Sequence, residues 1–328
     1  MVRVGRVLAA YAARINPDSP LDGLEVDDRP EPEVPDGWAR VRVRASALNH
    51  HDLWSLRGVG LAEDALPMIL GCDAAGVTDD GEEVVIHAVL GDPAAGNGDE
   101  TLDPKRTLLS EKYPGTLAEY VAVPRRNLVP KPTGLSFEQA ACLPTAYLTA
   151  YRMLTTRSNL TGPGTVLIQG AGGGVATAAI LLGKALGHTV FVTSRDEAKR
   201  SQALELGADK AVEPGSRLPA RADAVIETVG EATWDHSLKS LKPGGTLVVS
   251  GATSGRKPTT DLNRVFFLQL SIVGSTMGNR NELDALLRLC EEKNVEPLIS
   301  DVRPLAQAKE SFAQLAGGDV FGKLVLTA

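Results

Sequence analysis

The stretch "TVLIQGAGGGVATAAILLGKALG", residues 165–187, decides how the rest of the chain is read. Thr165 to Gln169 reads as a buried strand, glycine fills positions 170 and 172–174, and an apolar helical segment follows. Glycine permits a turn that a side chain would block. It also lets the backbone approach a pyrophosphate, whose charge then sits at the positive end of the following helix. Ala176 takes the last small position, where helix and strand must pack closely. A glycine cluster alone is equally compatible with a tight structural turn. Its place between a strand and a helix, inside a β-α-β unit, is what points to a dinucleotide.

Downstream, the apolar runs "TVFVT" (189–193), "DAVIET" (223–228) and "TLVVSG" (246–251) alternate with helical segments such as "RDEAKRSQALELG". Continuous apolar strands separated by helices imply a parallel sheet covered on both faces. The end of the second strand then discriminates between cofactors. An acid about 20 residues after the glycines would bond a ribose 2′-hydroxyl. This chain has Thr193, Ser194 and Arg195 there, with Lys199 one turn later. A hydroxyl, a guanidinium fork and an ammonium suit a 2′-phosphate, so NADPH is expected in preference to NADH. Asp196 as the cap of a solvated helix is the competing reading.

Working outward, residues 1 to about 125 have a different texture, with short β-like runs between Pro- and Gly-rich turns. "ARVRVR" (39–44) alternates with period two, as a half-buried antiparallel strand does. Residues 91–116 lack periodicity and read as a long excursion. The tail offers the helical "NELDALLRLCEEKN" and a closing strand, "KLVLTA". At 328 residues two domains are expected. A net charge of −7 argues against a nucleic-acid partner. Cys72, Cys142 and Cys290 are scattered, which speaks against a disulfide framework or zinc ribbon and fits a cytoplasmic setting. No apolar run reaches membrane-spanning length. "MVRVGRVLAA" is read as a first strand rather than a targeting segment. His188 and His236 are expected at the surface, His87 as a satisfied strand histidine, and Cys142 and Cys290 as buried small hydrophobes.

"GCDAAG" (71–76) and "NHHD" (49–52) bring together the residue types that hold zinc, and leave open a metal site, a proton relay, or the remains of either.

Taken together, "ALNHHDLW", "ILGCDAAG", "GTLAEYVAVP", "LVPKPTGLSFEQAACLPTAYLTAY", "GAGGGVATAAI", "ELGAD", "LKPGGTLVVSGATSG", "LSIVGSTMG" and "GKLVL" occur in an order that resembles the medium-chain dehydrogenase/reductase superfamily. The likeness is to its zinc-less, quinone-oxidoreductase-like branch. The resemblance implies an α/β chain with a GroES-like β-rich catalytic domain (1–130 and 277–328) and a Rossmann doubly wound parallel-sheet cofactor domain (131–276). It also implies a homodimer and a small-molecule substrate. Zinc-dependent members hold the metal at positions that match Asn49, Cys72 and Thr145, and only Cys72 is a good zinc ligand. No four-cysteine set for a structural zinc occurs in 91–116. No zinc is therefore expected. By the same match Asn49, Asp52 and Thr149 lie beside the nicotinamide. Gly170, Ala171, Gly172, Gly173, Gly174 and Val175 hold the pyrophosphate, and Ser194, Arg195 and Lys199 hold the 2′-phosphate. Val229, Gly251, Ala252 and Met277 line the nicotinamide and its ribose. Pro214 departs from the pattern, since some NADPH-dependent relatives place a Tyr there.

Hydride transfer to a carbonyl needs a group that stabilises the developing alkoxide, a task zinc performs as a Lewis acid. Conjugate addition to an enone or quinone delocalises that charge, so orientation and hydrogen bonding suffice. The expected activity is therefore NADPH-dependent reduction of a quinone or α,β-unsaturated carbonyl compound. Asn49 would orient substrate or cofactor, and water, His51, Tyr147 or Cys72 would supply the proton. Two alternatives compete. One is a zinc alcohol dehydrogenase using Cys72 with His51, His87 or Asp73; the other is an NADPH-binding redox-sensing protein without turnover.

Overall fold

The apolar runs of the second half assemble into one six-stranded parallel sheet. The computed structural model describes residues 5–328. Across the sheet the strands run Lys210–Val212, Thr189–Thr193, Thr165–Gln169, Ala222–Glu227, Leu241–Val249 and Ser271–Gly274. Val166, Leu167, Val190, Val225 and Leu247 are buried, which is why these strands are continuously apolar rather than alternating. Leu167, Phe191, Val225, Trp234, Leu238 and Leu247 share one core cluster. The helix Gly174–Ala185 packs on the first two strands of this half, and a Cβ built at Gly183 would lie 2.9 Å from Val190 Cγ2. Only glycine allows that approach. The strand order reverses between Thr165–Gln169 and Ala222–Glu227, the place where open α/β sheets bind ligands beyond their carboxyl ends. This compact unit spans Ala146–Met277 and is a Rossmann domain.

The other compact unit takes the chain up to Thr145 together with Gly278–Ala328. Its central strand, Trp38–Ala47, pairs antiparallel with Asp73–Thr78, Tyr120–Pro124 and the closing strand Lys323–Thr327. That last pairing brings both chain ends into one domain. Ala39, Val41 and Val43 point into the core while Arg42 and Arg44 are exposed, so the period-two pattern fixes which face is buried. Arg6–Ala12 is the first strand of a smaller sheet, paired with Leu24–Pro30 and Met68–Ile69. The excursion 91–116 carries only the turn Glu100–Leu102 and the short strand Thr107–Leu108, paired to Val89–Leu90.

"SFEQAACLPTAYLTAYRML" is helical but not continuous. Ser136 caps Phe137–Ala141, wide turns occupy Leu143–Tyr147 and Met153–Arg157, and Leu148–Arg152 lies between them. Pro144 cannot donate to a regular helix, which accounts for the first interruption. Phe137–Ala141 lies against the strands Trp38–Ala47 and Asp73–Thr78, so this unit runs on past residue 130, the boundary that the resemblance implied.

Two histidines differ from the expectation of surface residues. His188 is buried, and Gly164 N donates to its Nδ1 at 3.2 Å. His236 is half-buried between Gln169 Nε2 (3.1 Å) and Ser216 O (2.9 Å). Each fills a gap where backbone or amide groups need a partner, which helical periodicity alone does not reveal. His87 is buried beside Glu100, its Nε2 donating to Gly278 O at 2.9 Å. Cys142 and Cys290 are buried, and burial pushes both thiols up to about 12.

Candidate functional site

In the Rossmann domain, Gly170 adopts φ +85° and turns the chain out of its strand. Gly173 is the N-cap of the twelve-residue helix Gly174–Ala185 and offers no side-chain cap. The first-turn N–H groups of that helix are therefore left for an external acceptor. A Cβ built at Gly173 would meet nothing within 4 Å, so the approach to those groups is open. An open turn at a positive helix end is the cradle a pyrophosphate requires. Gly170 to Val175 thus fit that group.

At the end of the neighbouring strand an open hollow is lined by Ser194, Arg195, Asp196 and Lys199. Asp196 caps the helix Glu197–Glu205, its carboxylate accepting from Lys199 N at 3.0 Å. The acid is thus a helix cap, as the competing reading expected, and it shares the hollow with Arg195 and Lys199. Arg200, which the sequence reading passed over, donates to Ser194 O (2.7 Å) and Arg195 O (3.2 Å) and shapes the loop. Nearer the switch point, Val229 O accepts from Ser254 N (2.7 Å) and Ser254 Oγ (2.8 Å), tying the 229 loop to the segment that carries Gly251 and Ala252. Met277 is buried at φ +47°, Thr149 is buried, and Tyr147 is wholly enclosed.

In the β-rich domain, Asn49 lies two residues beyond the central strand and is the N-cap of the helix His50–Leu56. Asp52, at the third position of that helix, accepts from Asn49 N (2.8 Å) and Gly71 N (3.1 Å), joining the helix to the turn before Cys72. Burial pushes its carboxyl up to about 6. The buried ammonium of Lys323 donates to Leu48 O (2.7 Å) and Asn49 Oδ1 (2.7 Å), and lies 3.2 Å from Asp73 Oδ2. Lysine can only donate, so the Asn49 oxygen faces it and the amide hydrogens face elsewhere. They go to Asp73 Oδ2 (2.9 Å) and Ala47 O (3.3 Å). Both amide hydrogens of Asn49 are thus engaged inside the protein.

Cys72 is fully buried, its thiol donating to Leu109 O at 3.2 Å with Ser110 Oγ at 3.7 Å. Burial, then the nearby Asp52 charge, push the thiol well above its ordinary range. His51 is the more accessible candidate donor, with Nε2 3.5 Å from Ser55 Oγ and 4.0 Å from Glu111 Oε1. Asn49, His51, Asp52 and Cys72 therefore belong to one neighbourhood, and the sequence reading missed its cation. A lone lysine opening the apolar run "KLVL" was the available signal.

A catalytic zinc takes three protein ligands drawn from thiolate, imidazole and carboxylate. The matching positions offer an amide already bound to Lys323 and Asp73, a thiol donating to a carbonyl, and Thr145, whose hydroxyl is buried without a partner. Among the described residues no group of three His, Cys, Asp or Glu side chains could hold a metal ion. This donor set does not fit zinc.

Residues 35–133 match the model of the alcohol dehydrogenase GroES-like domain, and residues 174–292 that of zinc-binding dehydrogenases. The chain belongs to the medium-chain dehydrogenase/reductase superfamily. Members of this superfamily are NAD(P)H-dependent oxidoreductases. An acryloyl-coenzyme A reductase of Metallosphaera sedula is 30% identical over 327 residues, covering 93% of this chain and 96% of the relative. A solved NAD-dependent alcohol dehydrogenase shares 36% identity at a TM-score of 0.89, covering 98% of this chain and 99% of that one. A 2-octenoyl-CoA carboxylase reductase, solved with NADP and 2-octenoyl-CoA, shares 26% identity at a TM-score of 0.89, covering 99% of this chain and 88% of that one. Superfamily membership accounts for the GroES-like and Rossmann domains, whereas the relatives span both alcohol and enoyl-thioester chemistry.

Proposed function

We propose that this protein is an NADPH-dependent oxidoreductase of the zinc-less, quinone-oxidoreductase-like branch. In this reading it transfers hydride to an alkene conjugated with a carbonyl, with quinones as the second substrate class. The observation that carries the reading is the state of Asn49. Where a zinc ligand would stand, its amide is held by Lys323 and Asp73, and the other two positions are a buried thiol and a threonine. A site with that donor set favours a substrate that delocalises its own developing charge. Acryloyl-CoA and 2-octenoyl-CoA, named for two of the relatives, are both α,β-unsaturated thioesters.

When bound, the cofactor supplies the hydride. Gly170 to Val175 would hold its pyrophosphate, and Ser194, Arg195 and Lys199 its 2′-phosphate. Thr149, Val229, Gly251, Ala252 and Met277 would line the nicotinamide and its ribose. Asn49 contributes as a fixed wall, since its amide hydrogens are already committed. Of the side-chain proton donors, His51 is favoured over the enclosed Tyr147 and Cys72 because it retains exposure. Asp52 holds the helix that carries His51.

A second cofactor reading, NADH, is favoured by one observation: Asp196 lines the same hollow as Arg195 and Lys199 and could accept from a ribose hydroxyl. The three cysteines are free, which supports a reducing, cytoplasmic setting. The exposed Phe266 and Phe267, with Ile272 on the edge strand Ser271–Gly274, support a homodimer.

The test is oxidation of NADPH and of NADH over a panel of 2-enoyl thioesters, enones, quinones and aldehydes, with and without chelator, alongside metal analysis. Enone or enoyl turnover with NADPH, insensitive to chelation, is expected. Stoichiometric zinc lost together with alcohol dehydrogenase activity overturns the reading. Tight NADPH binding without turnover of any substrate favours the redox-sensing alternative.

A further inference from the structure

Thr193, Gln169 and Glu227 lie side by side at the carboxyl ends of three adjacent strands, and none is exposed. Apart from Thr165, Thr189 and Asp223 near their amino ends, the strands they end are apolar, so three enclosed polar side chains at the carboxyl edge need an explanation. Their hydrogen bonds form one directed chain. Gly170 N donates to Thr193 Oγ1 (3.3 Å), and Thr193 Oγ1 donates to Gln169 Oε1 (2.6 Å). Gln169 Nε2 donates to Ser237 Oγ (2.9 Å), and Ser237 Oγ donates to Glu227 Oε2 (2.6 Å). Glu227 Oε1 also accepts from Val229 N (2.8 Å), Gly230 N (3.0 Å) and Thr233 Oγ1 (2.9 Å).

Four donor groups thus converge on one carboxyl, and nothing facing it is shown to accept a hydrogen. The chain begins at the first residue of the glycine turn and ends on the backbone of the 229 loop. Gly230 is packed so tightly there that a Cβ would lie 2.4 Å from Gly255 O, and Ser254 holds Val229 O. A shift at Glu227 would therefore be transmitted to both loops.

We infer that Glu227 is a positioning residue for hydride transfer, fixing the Val229–Gly230 backbone in register with the glycine turn through Ser237, Gln169 and Thr193. The inference rests on the proposed dinucleotide chemistry, and none of these four side chains needs to touch the cofactor. The loop that carries the phosphate-binding candidates Ser194 and Arg195 is held by Arg200, which donates to both of their carbonyls. Hydride-transfer geometry should therefore respond to substitution of Glu227 more strongly than cofactor affinity does.

Glu227→Gln places an amide NH₂ among donors, and Ser237→Ala cuts the chain midway while leaving Glu227 its other partners. Both variants are compared with the wild-type protein for NADPH affinity by fluorescence, kcat, thermal unfolding, and the primary isotope effect with 4-deuterated NADPH. For Glu227→Gln, kcat should fall about tenfold or more, since small misplacements of reacting groups are costly. The NADPH dissociation constant should change by a smaller factor than kcat, because Glu227 bonds the Val229–Gly230 backbone directly and reaches the glycine turn only through Ser237, Gln169 and Thr193. The isotope effect should rise as hydride transfer becomes rate-limiting, and Ser237→Ala should move in the same direction by less. If Glu227→Gln does not fold, Ser237→Ala carries the same readouts. A lowered unfolding temperature with unchanged kcat and isotope effect makes the network a core feature and overturns the inference alone. Absence of NADPH and NADH binding to the wild-type protein overturns the functional reading and this inference with it.

Discussion

Each domain buries a carboxylate beside its candidate site, and the two are satisfied in opposite ways. Asp73 is paired with a cation, Lys323, and one of its oxygens, Oδ1, is buried without a hydrogen-bond partner. Glu227 is shown with no cation partner, yet both of its oxygens accept from several donors. An ion pair concentrates its stabilisation in one partner, so removing that partner leaves an uncompensated buried charge. A hydrogen-bonded carboxylate spreads it, so a single loss leaves most of the set in place.

The comparison breaks first at Lys323. Lys323→Met should destabilise the protein by ~3–5 kcal/mol, the range for stripping one member from a buried pair. Glu227→Gln should cost less, ~1–3 kcal/mol, as expected for leaving a buried donor unsatisfied. Urea unfolding of both variants gives the ranking, and Asp73→Asn combined with Lys323→Met should recover much of the loss. Equal losses in the two single variants would end the distinction.

Asp52 sharpens the contrast because its enclosure raises its titration. The carboxyl ordinarily titrates near 3.8 and is held here at about 6, first of all by burial. The folded protein therefore binds this proton more tightly than the unfolded chain does. The associated stability is full below pH 3.8 and is lost as pH rises to about 6. That difference corresponds to ~3 kcal/mol. Asp52→Asn should remove this part of the slope from a plot of unfolding free energy against pH. An unchanged slope between pH 4 and 6 would mean that Asp52 ionises there as freely as in the unfolded chain.

The rim of the Rossmann domain supplies an exposed counterpart to these buried charges. Arg195→Ala should weaken NADPH by ~1–2 kcal/mol, or about 5–30-fold in KM, as for loss of a charge-assisted hydrogen bond near solvent. NADH should be nearly unaffected. A parallel loss with both cofactors would assign Arg195 to general electrostatics or loop shape rather than to the 2′-phosphate.

The Rossmann half was legible because its signals are local: a glycine turn, apolar strands of regular spacing and a helix cap all lie within short windows. "ARVRVR" likewise disclosed its buried face. What stayed hidden depends on distant partners. Lys323 meets Asn49 and Asp73 only because the closing strand pairs with the central one, and Gln169 meets Thr193 and Glu227 only across a sheet. His188 and His236 were misread for the same reason, since their partners are remote in sequence. Asn49 was singled out by its place in the sequence, but its saturated amide could not be foreseen without Lys323.

Cys72 gives the smallest expected effect and separates position from chemistry. It stands where a zinc ligand would match, beside Asp73, yet its thiol is enclosed, donates to Leu109 O and is pushed well above its ordinary range. A serine hydroxyl can make the same donation. Cys72→Ser should therefore change kcat/KM by no more than about threefold, consistent with substitution of one neutral hydrogen bond by another. Iodoacetamide at pH 8 should label the native protein slowly, since thiolate content and access govern that reaction. Rapid modification of Cys72 accompanied by loss of activity would instead place its sulfur in contact with substrate. The buried donor then would be a working part of the site, and the contrast drawn between enclosed anchors and an exposed rim would fail in this domain.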